Sequence, residues 1–150
     1  MSVVRVQVTR LPGNDDLPLP QPATVGSAGL DLRACLAETL TIAPGARALI
    51  PTGIALALPH GYEAQVRPRS GLALRTGLTL LNSPGTVDAD YRGEIQVLVI
   101  NLGDAAVVLE RGDRIAQLIV HPVPLVEWEE VEALPLSARG AGGFGHTGTR

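Results

Sequence analysis

At 150 residues with 45% hydrophobic side chains, the chain has the size and apolar content of one domain with a real core. Its net charge of −3 supplies no basic field for nucleic acid, and no apolar run is long enough for a signal segment or a membrane span. The single Cys35 cannot form an intramolecular disulfide, so a cytoplasmic protein that binds neither nucleic acid nor membrane is expected.

From Val3, VVRVQVTR alternates apolar and polar side chains, the pattern of a half-buried strand. LPGNDDLPLPQPATVGSAG follows as a long loop, and LDLRACL resumes the alternation, with Cys35 expected as a buried strand residue without a reactive role. TIAPGARALIPTGIALALP predicts short strands separated by turns at Pro44-Gly45 and at Pro51 to Gly53. YEAQV, LTLL, EIQVLVI, AAVVLE and RIAQLIV continue the series, with Gly, Pro or Asp between them. The exception is SGLALRTG at residues 70–77, where Ser70 is the expected N-cap and Gly77 the expected stop of a helix of one or two turns.

After HPVP, the acidic LVEWEEVEALPLSA predicts an arm that leaves the sheets, with another subunit as the candidate surface. Its Glu127, Glu129, Glu130 and Glu132 carry the charge imbalance, since without them the chain is close to neutral. RGAGGFGHTGTR closes the chain with glycines around Phe144. Gly loses more conformational freedom on ordering than any other residue, so this tail is expected to be loose until a ligand orders it. With 17 Gly, 12 Pro, 3% aromatic residues and no sustained helical period, the pattern predicts an all-β fold: an antiparallel sandwich or barrel with an aliphatic core and one short helix. No internal repeat is evident.

His60, His121 and His146 are scattered without zinc-ligand spacing, and GSAG has the wrong spacing for a GxSxG nucleophile. All twelve basic residues are arginine, which excludes a Walker or Schiff-base lysine and leaves phosphate binding to guanidinium, hydroxyl and backbone amide groups. Four glycine-rich segments remain. SAGLDLRA carries Asp31; RPRSGLALRTG carries Arg67, Arg69, Arg75 and a helix start at Ser70 suited to an anion; GTVDADYRGE carries Asp88 and Asp90 beside Tyr91 and Arg92; ERGDRIAQL carries Arg111, Asp113, Arg114 and Gln117. Singly, each has an ordinary reading as a turn or a surface charge. Together they supply what hydrolysis of a polyphosphate needs: cations and amides for the phosphates, and a carboxylate for the attacking water. Asp31 and Gln117 are suited to the water shell of a Mg²⁺ carried by the polyphosphate, which binds through oxygen and keeps several waters.

The ordered set AGLDLRA, RPRSGLA, GTVDADYRGEI, RGDRIAQLI and RGAGGFGHTG resembles the five motifs of the homotrimeric deoxyuridine triphosphate nucleotidohydrolases, the dUTPases, over about residues 28–148. The resemblance implies a jelly-roll-like β-barrel trimer with active sites shared between subunits. Residues 1–136 would form the barrel domain, including an arm at about 122–136, and 137–150 a Gly-rich tail that closes over the site. It also implies Mg²⁺-dependent hydrolysis of dUTP to dUMP and pyrophosphate by a water attacking the α-phosphorus. Asp88 would activate that water, and Tyr91 would pack on the deoxyribose and leave no room for a 2′-hydroxyl. Asn82 and the backbone of a hairpin through Thr86, Val87 and Gln96 would pair with uracil. Arg69, Ser70, Gly71 and Gln117 would hold the phosphates. In the tail, Phe144 would stack on the base, while Arg139, Gly145, His146 and Thr147 would reach the phosphates. No protein group is expected as a direct metal ligand; Asp31 and Gln117 would act through water.

The chain departs from the family pattern in small ways, with Leu30 where many members carry an aromatic, Arg75 where Lys is frequent, and His146 in place of Ser. A deoxycytidine triphosphate deaminase shares the fold, but its chemistry needs a Glu within the strand after the Asp loop. EIQVLVIN has Glu94 only at its start. A nucleotide-binding protein that has lost catalysis is the other alternative, and it would be marked by a substituted Asp88 or a missing tail.

Overall fold

The computed structural model describes residues 3–144 and His146. In chain order the strands are β1 (Gln7–Arg10), β2 (Leu30–Arg33), β3 (Leu40–Ile42), β4 (Arg47–Ala57) and β5 (Tyr62–Pro68). Helix α1 (Ser70–Thr76) follows, then β6 (Leu78–Leu80), β7 (Gly85–Val87), β8 (Glu94–Asn101), β9 (Val107–Leu109) and β10 (Arg114–Pro122). Two four-stranded antiparallel sheets, β1-β4-β8-β6 and β2-β10-β5-β7, are joined by the two-stranded pair β3-β9. This is the all-β, antiparallel architecture with one short helix that the alternation predicts. No helix among the described residues is long and apolar enough to cross a membrane.

Alternation on β8 shows how the core is built. Ile95, Val97 and Val99 point inward and are buried, while Gln96 between them is exposed. They meet Leu32 of β2, Ile50 of β4 and Ile115 and Leu118 of β10 in one aliphatic cluster without an aromatic ring. Each such side chain, once buried, contributes about 1.5–3 kcal/mol. Buried Asn101 at the end of β8 is fully paired: its Nδ2 donates to the carbonyls of Ile42 (2.9 Å) and Ala105 (2.8 Å), and its Oδ1 accepts from the Gly103 amide (2.9 Å). It ties the β3-β9 pair to the main sheet.

The structure departs from sequence expectation at several points, each with a local cause. β1 is shorter than the alternation and exposed along its whole length. Pro51 to Gly53 is a bulge inside the single strand β4, where register slips between Pro51 and Ala55. Gly53 takes φ 66° there, and its N–H is held at 2.8 Å by the Glu94 carboxylate while buried Asn14 donates to its carbonyl at 3.0 Å. The turn signal was real, but paired edges on both sides keep the strand continuous. Ser70 is the first helical residue rather than the cap, which is the extended Arg69 without a side-chain cap bond; Gly77 ends the helix in the left-handed conformation as expected. β7 is three residues in a segment whose composition reads as a turn; Thr86 and Val87, expected in a hairpin with Gln96, pair with β5 instead.

Cys35 lies beyond β2 and is half-buried, with Sγ 3.5 Å from Arg111 Nη1. Arg111 clasps the N-terminal loop through Asp16 and the Gly13 carbonyl (2.7 Å), and it also donates to the Leu36 carbonyl after β2 (3.1 Å). The bond from that guanidinium holds the Asp16 carboxyl below its ordinary range. After β10, residues 123–136 form no regular element and are exposed, including Leu125, Trp128, Leu134 and Leu136.

Asn101→Ala removes the side-chain partner of the buried Ile42 carbonyl and of the more accessible Ala105 carbonyl and Gly103 amide, and is expected to cost about 1–3 kcal/mol of stability. Urea unfolding of the variant beside the parent, at matched protein concentration, checks this.

Candidate active site

A cavity of about 170 Å³ opens between the two main sheets, lined by Thr86 and Val87 of β7, Glu94, Ile95 and Gln96 of β8, and Asp88 and Tyr91 from the connection between them. Thr86, Val87 and Gln96 therefore meet, but not in one hairpin: β7 pairs with β5, while β8 pairs with β4 and β6. The sheets approach each other here, which sequence proximity alone cannot show. Asn82, exposed in the turn before β7, does not line this cavity; its amide nitrogen faces Gly85.

The 88–93 connection is braced by its own backbone. The Tyr91 amide donates to the Asp88 carbonyl (3.2 Å), and Arg92 Nη1 donates to the carbonyls of Ala89 (2.7 Å) and Tyr91 (2.8 Å). Tyr91 O–H donates to the Glu94 carbonyl at 3.0 Å. Asp88 thus presents an exposed carboxylate at the cavity mouth beside an anchored aromatic ring. Asp90 is exposed and outside the lining.

A second group gathers where β2, β10 and the end of β5 meet. Asp31 receives Arg69 Nε at 3.2 Å on one oxygen and Arg114 Nη1 at 3.1 Å on the other, and Arg69 Nη1 also donates to the Arg114 carbonyl at 3.2 Å. Registered side by side, Asp31, Gln117 and Arg67 form one row across β2, β10 and β5. Gln117 Nε2 donates to the Pro68 carbonyl at 2.9 Å. Next to this row, Leu72 and Ala73 begin the helical ladder by donating to the Arg69 carbonyl, so the amides of Ser70 and Gly71 precede it. Arg67 itself turns to Gln65 (2.6 Å) and His121 (3.0 Å), and Arg75 is exposed on α1. Asp113 Oδ2 accepts the Glu110 amide at 2.8 Å, the ordinary turn role.

The two groups stand apart in one chain. Val87 pairs with Ala64, so Asp88 follows beside Glu63, and the extended Arg69 lies six positions further along the chain, one past the end of β5. At about 3.4 Å per residue that is roughly 20 Å.

Of the tail residues, Phe144 is fully exposed and Arg139 Nε donates to the Gly142 carbonyl at 2.8 Å. The His146 amide donates to the Gly143 carbonyl at 2.9 Å. Gly145 and Thr147 lie outside the described residues. Glu94 and Ile95 line the cavity without being site candidates in the sequence, and Gly93 lies against the Tyr91 ring outside the lining. Of these, only Glu94 carried any signal, as a polar residue near Tyr91.

The sequence model of the dUTPase family matches residues 15–148. A deoxyuridine 5′-triphosphate nucleotidohydrolase of Anaplasma marginale (strain St. Maries) is 52% identical over 147 residues, covering 98% of this chain and 100% of that one. Among solved structures, the Staphylococcus bacteriophage 80alpha dUTPase with dUpNHpp superposes with a TM-score of 0.86 at 27% identity, covering 96% of this chain and 98% of that chain. A dUTPase of S. aureus phage phi11, whose structure details the coordination of a structural Mg(II) ion, gives 0.75 at 25% identity over 86% of this chain and 97% of its own. With sheets, motif order and close relatives in agreement along nearly its whole length, the chain belongs to the dUTPase family.

Proposed function

We propose that this chain hydrolyses dUTP to dUMP and pyrophosphate, so limiting uracil in DNA and supplying dUMP for thymidylate synthesis in the cytoplasm. The observation that carries the reading is the exposed Asp88 carboxylate at the mouth of a base-sized cavity, next to the anchored Tyr91 ring. Asp88 orients a water and takes its proton as the oxygen attacks the α-phosphorus; the new P–O bond replaces the bond to the bridging oxygen, and pyrophosphate leaves. Thr86, Val87 and Gln96 face the uracil edge, with Asn82 at the rim. Tyr91 packs on the deoxyribose where a 2′-hydroxyl would need room.

Arg69, the Ser70 hydroxyl, the Gly71 amide and Gln117 hold the phosphates by charge-assisted and backbone hydrogen bonds. Asp31 presets Arg69 and Arg114 in its fork, so these guanidinium groups need less reordering when the anion arrives. No cluster of three or more His, Cys, Asp or Glu able to hold a metal occurs among the described residues, and both Asp31 oxygens already receive arginine. Each carboxylate oxygen keeps a further acceptor site. That donor set fits a Mg²⁺ carried on the phosphates, with Asp31 and Gln117 touching its waters, and such an ion would neutralise phosphate charge.

The separation of about 20 Å between Asp88 and Arg69 along β5 is longer than a triphosphate reaches from its α-phosphorus. It supports a homotrimer in which the nucleoside cavity of one subunit faces the phosphate group of another. Residues 1–136 form the barrel with its arm at about 122–136, and 137–150 the closing tail. Phe144 stacks on the base, and Arg139, Gly145, His146 and Thr147 reach the phosphates. Ordering the glycines only over substrate makes closure conditional on it.

Asp88→Asn is expected to lower pyrophosphate release from dUTP with Mg²⁺ by on the order of 10²–10⁴-fold. UTP, dTTP and dCTP run in parallel test substrate choice, and ammonia from dCTP would instead indicate a deaminase. Refolding Asp88→Asn chains together with Arg69→Ala chains is expected to restore activity that neither has alone. No recovery in the mixed assembly would place the whole site in one chain. Truncation before Arg139 is expected to leave the assembly intact by light scattering and nearly inactive.

A further inference from the structure

We infer that Gly93 and Glu94 are positioning residues for the Tyr91 ring and, through it, set the discrimination between deoxyribose and ribose; the inference rests on the reading of Tyr91 as the surface under the sugar. Tyr91 sits on an exposed connection, where an aromatic ring would ordinarily sample several rotamers. Two features hold it.

The first is Gly93. A Cβ at this position would lie 2.6 Å from the Tyr91 carbon bearing the hydroxyl, and closer still to the hydroxyl oxygen. Its backbone is not in the left-handed region, so any L residue could adopt its conformation. The glycine therefore leaves room for the ring lying across it, and a methyl group there must push the ring aside. Displacement of the ring opens the edge that excludes a 2′-hydroxyl.

The second is Glu94, which grips at both ends. Its carbonyl accepts the Tyr91 hydroxyl at 3.0 Å, and its carboxylate accepts the Gly53 amide at 2.8 Å across the β4 bulge. That bulge is itself pinned by buried Asn14, whose Nδ2 donates to the carbonyls of Thr52 (3.3 Å) and Gly53 (3.0 Å). The carbonyl that receives Tyr91 is thus fixed by a chain of bonds running back to the N-terminal loop. The ring is held against the rigid sheet rather than by the connection that carries it.

The test is the ratio of kcat/KM for dUTP to that for UTP, measured in Tyr91→Ala, Tyr91→Phe, Gly93→Ala, Glu94→Ala and Glu94→Gln. Gly93→Ala is expected to lower the ratio on the order of tenfold, mainly by raising kcat/KM for UTP. Tyr91→Phe, which keeps ring and backbone but removes the hydroxyl anchor, is expected to lower it several-fold. Glu94→Ala does likewise, and Glu94→Gln, which keeps an acceptor oxygen for Gly53, recovers most of the loss. A purely structural role would depress both substrates equally and leave the ratio unmoved. Parent-like ratios in Tyr91→Phe and Gly93→Ala, with a reduced ratio in Tyr91→Ala, would overturn the positioning roles alone. An unchanged ratio in Tyr91→Ala would overturn the sugar-surface reading beneath them.

Discussion

The rise of a β-strand sets the terms for this molecule. β5 is held between β10 and β7, so its residues cannot slide or shorten their spacing, and it separates the carboxylate beside Glu63 from the arginine beyond Pro68. A strand can present chemistry at both ends, yet it cannot bring its ends together. A site that needs both groups on one nucleotide must therefore be completed by a second copy, in the reading proposed above.

At each end the sheets solve a different electrostatic problem. At the end proposed above to take the phosphates, two arginines must be held close together. Asp31, with its side chain largely withdrawn from solvent, takes one guanidinium on each oxygen and so offsets the repulsion between Arg69 and Arg114. At the cavity end the difficulty is rigidity, because Asp88 and Tyr91 stand on a connection rather than a strand. Arg92 braces its carbonyls from outside, and the Tyr91 hydroxyl reaches back to β8. Both ends borrow order from hydrogen bonds to paired backbone.

The core carries the rest. It is aliphatic throughout, and its sparse polar members are satisfied, Asn14 and Asn101 among them. Asn14 closes the N-terminal loop onto the β4 bulge while Arg111 closes it onto the turn before β10. The long proline-rich segment is thereby tied at two points, to the β4 bulge and to the turn before β10.

The sequence by itself determined the class of fold, most strand positions, the helix stop at Gly77 and the identity of nearly every candidate site residue. These follow from local causes: side-chain alternation, glycine's access to positive φ, and motif spacing along the chain. What tertiary structure decided depends on pairing. Pro51 to Gly53 reads as a turn until β8 pairs on either side of it. Thr86 and Gln96 read as one hairpin until the two strands are found in different sheets. Gly93 carries no legible signal, and the polar Glu94 gives no hint of its part, because their contribution is a ring resting on a missing methyl and a carbonyl at the right distance. Those are properties of space between residues, which no residue type encodes alone.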